Sequence, residues 1–333
     1  MAARPRPLAV LAALAALCAG AFCVALMAGS AALSPGEVWA ALTGGASGDA
    51  SDTARAIVLD IRWPRALAAL GIGALLALAG VLMQVLLRNP LADPYILGIS
   101  SGAAVGALAA VALSLALPVR HALAFAGALT VMGAVYAVAR ADRGFAPLRL
   151  LLTGVVIAAG LNAVISLLLA TSDDTGLRGM LFWLMGDLSA TRSGGALVLL
   201  AALATALATV LYRALDVLAL GHAQAVSVGL PVRRTRVLTY VVASLLTAVS
   251  VSAAGSIGFV GLVVPHAVRL LTGPSHRVLV PGAALGGGAL LLIADTLSRT
   301  VLAPRQLPVG ALTALIGVPV FLYLMARHAR RRL

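Results

Sequence analysis

The sequence alternates between long apolar runs and short polar segments, and the apolar runs have the length of membrane-spanning helices. A helix crosses the hydrocarbon core of a bilayer with about 20 predominantly apolar residues. Two pieces, Phe259–Leu271 and Met180–Leu188, are short, so we expect half-membrane or re-entrant segments there, enclosed by protein. The pattern predicts an all-α, polytopic membrane protein with ten spans: Leu8–Ala28, Ala66–Leu87, Ile96–Leu117, Ala122–Val138, Leu150–Ala170, Ala196–Leu211, Val237–Ala253, Phe259–Leu271, Val278–Leu297 and Val309–Met325.

Composition supports a membrane location for the whole chain. Of the 333 residues, 62% are hydrophobic and only 11% are charged, and a soluble domain of this size could not bury so much apolar surface. The 34 glycines allow helices to approach closely where no hydrophobic effect drives them together. No segment between the runs is long enough to be a soluble domain, so residues 1–333 are predicted to form a single transmembrane domain.

The net charge is +13, and all 24 basic residues are arginines. A standard nucleotide-binding P-loop needs a lysine, so this chain cannot contain one. If ATP drives transport, a separate polypeptide must hydrolyse it. The arginines are scattered between apolar runs rather than clustered on one domain, which argues against a nucleic acid partner.

The distribution of arginines predicts the orientation. With an even number of spans both termini lie on one side, and that side holds sixteen of the 24 arginines, including Arg4, Arg6, Arg143 and the C-terminal arginines. Basic residues accumulate on the cytoplasmic side, so both termini are predicted to be cytoplasmic. The other side holds Arg55, Arg62, Arg65, Arg120, Arg178, Arg192, Arg299 and Arg305.

Candidate metal-binding and catalytic residues are lacking in the sequence. Cys18 and Cys23 are five residues apart inside the first apolar run, and packing explains them. The five histidines fall at span ends or in loops, without a metal-ligand spacing or a nucleophile–base arrangement. The N-terminus resembles a signal peptide, but its apolar run is longer than a signal sequence requires, which favours an uncleaved first span. We therefore expect no metal site and no enzymatic activity in this chain.

The most polar stretch between two apolar runs is Arg213–Arg236, and its charges place it in water. Small and apolar residues at helical spacing from Gly221 to Val228 predict a short helix, which Gly229-Leu230-Pro231 would end. Such a helix could hold a soluble partner, and an ordinary basic loop is the alternative.

Five polar residues in or near the span ends have two interpretations each. Arg62 and Arg65, just before the second span, and Arg299 are either interfacial anchors or docking points for acidic groups of an external partner. Arg178 either pairs with Asp173, Asp174 or Asp187, or meets a carboxylate of a passing substrate. Asp295, inside the ninth span, is either a helix clamp or an ion-coupling site, and the clamp is favoured because no second acid lies within a span.

Several long motifs then occur in order. They resemble the permease subunits of bacterial type II ABC importers for iron-siderophores, haem and cobalamin, the FecCD-like family, from about Ser34 to the C-terminus. The motifs are LDIRWPRALAALGIGALLALAGVLMQVLLRNPLADPYILGISSGAAVGA, RGMLFWLMGDLS, AGSIGFVGLVVPHAVRLLTGPSHRVLVPGAALGGGALLLIADTLSR and LPVGALTALIGVPVFLYLM. RGMLFWLMGDLS and its arginine look most like the haem-importing members.

The resemblance implies partners and roles. It implies a homodimer in the bacterial inner membrane with the passage at the dimer axis, two cytoplasmic ATPase subunits that hold ATP and Mg²⁺, and a periplasmic haem-binding protein. It implies docking of that binding protein on Arg62, Arg65 and Arg299, a substrate pathway past Arg178, and haem as the transported substrate. The segment implied to couple to the ATPase within the loop 214–236 is Ala219, Leu220, Gly221, His222, Ala223, Gln224, Ala225, Val226, Ser227, Val228, Gly229, Leu230 and Pro231.

Alternatives remain open at this point. A ferric siderophore or cobalamin could be the substrate, since permeases for those compounds share most of the motifs. An ion-driven secondary transporter would use Asp295 as its coupling acid. A membrane enzyme would need catalytic residues that the sequence does not show.

Overall fold

The computed structural model of the chain describes residues 7–45, 49–140 and 147–329, and within these ranges every regular element is helical. The two chain ends, predicted to be cytoplasmic, and Arg143 lie outside the described residues. The first half contains α1 (Pro7–Met27), α2 (Pro35–Thr43), α3 (Asp49–Ala56), a π-helical segment (Ile57–Arg62), α4 (Trp63–Leu87), a 3-10 turn (Pro94–Leu97), α5 (Ile99–Ala112), α6 (Leu117–Arg140) and α7 (Pro147–Ala170). The second half contains α8 (Asp174–Leu184), α9 (Gly194–Val210), α10 (Tyr212–Leu220), α11 (His222–Ser227), α12 (Val232–Ala254), α13 (Val260–Thr272), α14 (His276–Thr300) and α15 (Val309–Ala329).

The described helices confirm an all-α, polytopic membrane fold. Seven helical stretches are long and apolar enough to cross a membrane, and α9 with α10 forms an eighth if this pair, bent by 63°, is taken as one span. The helices α5 and α13 are apolar but shorter. Together these elements correspond one for one to the ten predicted runs. The number of complete crossings is smaller, because the 13 residues of α13 extend only about 20 Å.

Two of the apolar helices are too short to cross a membrane. The α13 helix and the 11-residue α8 are both too short for a hydrocarbon core of about 30 Å. They correspond to the two segments for which the sequence predicted half-membrane or re-entrant structure.

The helices define two ends of the molecule, for which we use fixed names. The arginine end carries Arg62, Arg65 and Arg299, where α4 begins and α14 ends. The loop end carries the segment 219–231, in which Gly221 lies beside Arg88, the residue that follows α4.

One predicted boundary is wrong. The second span was expected to start at Ala66, after Arg62 and Arg65, but helix runs without interruption from Asp52 to Leu87 and includes both arginines. Pro64 lies inside this stretch, although proline removes a backbone hydrogen bond inside a helix. The π-helical turn accommodates it, because the Trp63 N–H reaches back five residues to the Val58 carbonyl.

At the centre of the bundle is α4, which is buried along nearly all of its length. It packs against α14, α9, α12 and α13. Glycines make two of these approaches possible: a methyl group at Gly73 would overlap with the Gly287 carbonyl of α14, and one at Gly80 would overlap with the Gly261 carbonyl of α13. Without a side chain at these points the helix backbones touch, which is the typical packing of helices in membranes.

Candidate functional site

One open face of the bundle is formed by α7, which is as little buried as α15. Most of α7 is exposed, and the exposed residues include Asn162 and Ser166 in its central part. The Asn162 side-chain oxygen accepts a hydrogen bond from Ser101 Oγ of α5 at 3.3 Å. Polar groups facing hydrocarbon are costly, so a polar, exposed position in mid-span indicates contact with protein or with a water-filled passage. The α5–α7 face is therefore the candidate lining of a passage.

At the arginine end of this face lies α8, which contains Arg178. The helix packs on the last turns of α5, with Gly179 against Val111. Arg178 is exposed, and it forms no ion pair in the part of the chain that the structure describes. The nearby acids have local partners: Asp173 caps α8 by accepting from the Gly176 N–H, and Asp187 accepts from Ser189. Arg178 is thus placed where it could meet an anionic group from outside.

Nearer the loop end, the same side of the molecule contains a cavity. Its volume is about 370 Å³, and it is lined by Asp93, Tyr95, Ile96, Gly258, Phe259 and Leu262. Gly154 of α7 packs against the Ile96–Leu97 backbone, so the cavity adjoins the open α7 face.

Unusual backbone conformations hold this cavity in shape. Phe259 has a φ of +68°, a left-handed conformation rare for a bulky residue, and its ring packs against Gly317 of α15. The Tyr95 hydroxyl donates to the Ile257 carbonyl at 3.0 Å and accepts from the Ile257 N–H at 3.1 Å. The break between α12 and α13 is thereby fixed to the turn that follows α4. Burial raises the pKa of Asp93 to about 6, although the carboxylate accepts a hydrogen bond from the Tyr95 N–H.

The three arginines predicted to dock an external partner come together at the arginine end, around Asp295. Arg65 Nε and Nη2 each lie 2.9 Å from Asp295 Oδ1, and Arg299 Nε lies 3.1 Å from Oδ2. Arg65 also donates to Gln306 Oε1 at 2.9 Å. The Asp295 side chain is 1% exposed, so it holds two guanidinium groups inside the bundle. The helix-clamp interpretation of Asp295 is confirmed by these contacts.

Arg62 and Arg299 also bind the carboxyl-terminal end of α1. Arg62 donates to the carbonyls of Leu26, Met27 and Ala31, and Arg299 donates to those of Ala25 and Ala28. Cations are favourable at this end of a helix, where carbonyls lack intrahelical partners.

The docking role of the three arginines stays a prediction, and their placement constrains it. All three are buried, with exposed fractions of 4% to 7%. Of the three arginines, Asp295 contacts only Arg65 and Arg299, so one carboxylate stands against three guanidinium groups and a positive charge remains at this end. The exposed arginines at this end of the described chain are Arg55, Arg178, Arg192 and Arg305.

The coupling segment at the loop end has the local structure that its sequence predicts. The helix α11 covers six residues, and the chain turns after it because Gly229 has a φ of +80° and the Leu230 N–H returns to the Ala225 carbonyl. Val226 and Val228 expose more than half of their surface, while Ala225 is fully buried. The predicted helix and stop signal are therefore confirmed, and the ATPase contact is a prediction for which the exposed valines offer an apolar surface.

Three polar features had no assignment from the sequence. The cavity at Asp93, the exposed Asn162 and a contact between Asp216 and His276 all depend on residues from distant parts of the chain. Asn162 alone gave a usable signal, because it is the only amide side chain inside the fifth apolar run. Among the described residues no cluster of three or more histidine, cysteine or acidic side chains could hold a metal ion.

Comparisons with known proteins identify the relatives of this chain. The FecCD transport family matches residues 17–327. The cobalamin import system permease protein BtuC of Halobacterium salinarum is 45% identical over 285 residues, which cover 85% of this chain and 76% of that protein. The hemin transport system permease protein HmuU of Yersinia pestis is 42% identical over 284 residues, covering 83% and 85% of the two chains. A solved structure described as an inward-facing metal-chelate type ABC transporter has a TM-score of 0.84 and 30% identity, and it covers 96% of this chain and 99% of that one.

Proposed function

Since this chain belongs to the FecCD transport family and is the permease of an ABC importer, we propose that it moves haem from the periplasm into the cytoplasm of a bacterium. In this proposal two copies form the passage in the inner membrane. Two cytoplasmic ATPase subunits drive it with ATP and Mg²⁺, and a periplasmic haem-binding protein delivers the substrate.

The observation that carries the proposal is the open α5–α7 face. Its polar positions are few: Arg178 at the arginine end, Asn162 in the centre with Ser101 and Ser166 beside it, and Asp93 beside the cavity. Between them the face is made of small and aliphatic side chains. Haem has a broad apolar surface and two carboxylates, so an apolar passage with one exposed guanidinium near its mouth suits it. Two copies with α7 facing α7 would also shield Asn162 from lipid.

The two ends receive different partners in this proposal. The loop end is cytoplasmic, and the ATPase binds the segment 219–231 through the exposed Val226 and Val228. The arginine end is periplasmic, and the binding protein docks there with acidic groups. Arg62, Arg65 and Arg299 lie below the protein surface, but their positive charge still attracts those acidic groups, because salt screens a buried charge less than an exposed one. Direct contact with the three requires the cluster to open.

Orientation is tested with single cysteines that replace Val226 and Arg305 in a Cys18→Ala, Cys23→Ser background. We expect a membrane-impermeant maleimide to label Arg305→Cys from the periplasmic side and Val226→Cys only after the membrane is permeabilised. The reverse pattern would exclude the proposed ATPase contact.

Substrate and energy source are tested by uptake into proteoliposomes that contain the permease, its cognate ATPase and its cognate binding protein. We expect ATP-dependent uptake of haemin in preference to cyanocobalamin and ferrichrome. A preference for cyanocobalamin or ferrichrome would show that haem is not the substrate of this permease. Uptake that survives a P-loop lysine substitution in the ATPase but stops with an ionophore would instead indicate an ion-driven transporter.

The role of Arg178 is tested in the same vesicles with Arg178→Ala, and Arg192→Ala is the matched control because it also removes an exposed arginine at the arginine end. We expect haemin uptake to fall about tenfold in Arg178→Ala only, which corresponds to one lost charge-assisted hydrogen bond of about 1.4 kcal/mol. Docking of the binding protein should be unchanged. Equal haemin uptake by Arg178→Ala and Arg192→Ala would show that Arg178 does not belong to the substrate pathway.

A further inference from the structure

The helix that precedes the coupling segment is fastened to α14 by one carboxylate. Asp216 lies in the middle of α10, and its Oδ1 accepts from the His276 backbone N–H at 2.8 Å and lies 2.5 Å from His276 Nδ1. Its Oδ2 accepts from Ser275 Oγ at 3.4 Å. Since a carboxylate only accepts, Nδ1 carries the proton in this contact.

This contact supplies the amino-terminal cap of α14 from another helix. Ser275 occupies the cap position of α14, but its side chain does not bond to the first turn of its own helix. The first N–H groups of a helix need an acceptor, and a carboxylate is favourable there. Asp216 provides both the acceptor and the charge, and the His276 ring that it holds is 2% exposed. The start of α14 is therefore tied to α10 by hydrogen bonds as well as by packing.

The two helices joined by this contact, α10 and α14, lead to the two predicted partner sites, the coupling segment and the arginine end. α10 ends at Leu220, and Gly221 follows directly before α11 in the coupling segment. α14 is one continuous helix of 25 residues from His276 to Thr300. Near its other end it carries Asp295 and Arg299, which bind Arg65 and the end of α1.

We propose that the Asp216–His276 pair is the joint through which movement of the coupling segment reaches α14, and through α14 the arginine end. This inference rests on the proposed function, because it needs an ATPase that moves the segment 219–231. With the joint intact, α10 and α14 move as one body. Without it, α10 can follow the ATPase while α14 stays behind, so ATP is hydrolysed with less transport.

A structural test follows the two helices separately in the complete complex of permease, ATPase and binding protein. Spin labels are attached to single cysteines that replace Arg213 in α10, outside the segment 219–231, or Arg277 in the first turn of α14, both exposed, in a Cys18→Ala, Cys23→Ser background. Each label reports the distance between the two copies by pulsed electron paramagnetic resonance. The ATP-bound state is held with an ATPase that binds but does not hydrolyse ATP.

The expected result is that ATP changes both distances when Asp216 is present. In Asp216→Ala the change at residue 213 remains and the change at residue 277 is lost. If ATP changes neither distance with Asp216 present, the proposed function fails, because the chain is then not driven by an ATPase at this segment. If both distances change alike in Asp216→Ala, the joint is refuted and Asp216 is only a helix cap.

A second measurement is the number of haemin molecules taken up per ATP hydrolysed. We expect this ratio to fall roughly tenfold in Asp216→Ala and in His276→Ala, and no further in the double variant, since coupling between sites typically amounts to a factor of about 5 to 150. Asp60→Ala, which removes an exposed acid at the arginine end, is the control and should keep the ratio. Additive losses in the double variant would overturn the proposal. If Asp216→Ala does not assemble, His276→Ala decides the point, because it removes the ring that Asp216 holds and leaves the backbone N–H that Asp216 caps; an unchanged ratio in His276→Ala would then overturn the proposal.

Discussion

Replacing Asp295 by asparagine tests whether one buried carboxylate holds the arginine end together. The substitution keeps the size of the side chain, so it creates no cavity, but it removes the only carboxylate that Arg65 and Arg299 contact among the described residues. Those two arginine side chains are 7% and 8% exposed. They would remain inside the bundle as uncompensated charges, beside Arg62.

The size of the effect follows from the burial. Removing one partner of a buried ion pair costs about 3–5 kcal/mol, because the remaining charge is left without its counter-charge. With an unfolding entropy of about 2.1 cal/mol/K per residue, the 333 residues give about 0.7 kcal/mol/K. A loss of about 4 kcal/mol then lowers the melting temperature by roughly 6 °C.

The assay is thermal unfolding of the purified permease in detergent, followed by tryptophan fluorescence. The control is Asp60→Asn, an exposed acid at the same end, which should shift the melting temperature by less than about 1 °C. The double variant Asp295→Asn, Arg65→Gln removes one of the two stranded charges and should recover roughly half of the loss. If Asp295→Asn has the same melting temperature as Asp60→Asn, or if the double variant is less stable than Asp295→Asn, the clamp does not stabilise this end.

Three further predictions concern other parts of the molecule. Gly80→Val should abolish folding, because the valine side chain would overlap with the Gly261 backbone. The assay is size-exclusion chromatography, in which the monodisperse peak should be lost. Gly133→Val is the control and should fold, because the space around Gly133 is open. Gly229→Val should reduce stimulation of the ATPase, because a β-branched residue is strained at a φ of +80°, whereas Gly229→Asn, which tolerates that conformation, should retain most of it. The pKa of Asp93 is raised to about 6, so the folded state favours the protonated acid. The stability of the natural protein relative to Asp93→Asn should therefore fall as the pH rises from about 4 to 6. A constant difference in melting temperature between the two proteins across that pH range would contradict this prediction.

The sequence predicted the helices better than their ends, and α4 shows why. Its apolar run has no polar face, which correctly indicates a helix surrounded by protein or lipid. Its start was placed at Ala66, where the uninterrupted apolar run begins, but the structure shows that the helix continues before it through a π-helical turn. The charged residues Arg62 and Arg65 interrupt the apolar pattern there, although they are buried by contacts with α1 and α14.

The site was predictable in its residues but not in their partners. The charges of Arg62, Arg65 and Arg299 near span ends drew attention to them, and the acid inside the ninth span pointed to a clamp. Arg65 and Asp295 are 230 positions apart, so no local pattern could pair them. The same holds for Asp216 and His276, which are separated by 60 positions. Helix patterns repeat within a few residues, whereas these contacts arise only when helices from both halves of the chain pack together.

The position of α14 explains why polar contacts occur at both of its ends rather than along its length. In the middle, Gly287 meets Gly73 with backbone against backbone, a contact that depends on close packing and would resist sliding of the two helices. At the ends, Asp216 and Asp295 join α14 to α10 and to α4 by hydrogen bonds and ion pairs, which depend on the charge of each carboxylate. If events at the loop end alter the arginine end, as an importer needs, these two carboxylates are the points at which α14 connects to both ends, whereas the glycines set only its distance from α4.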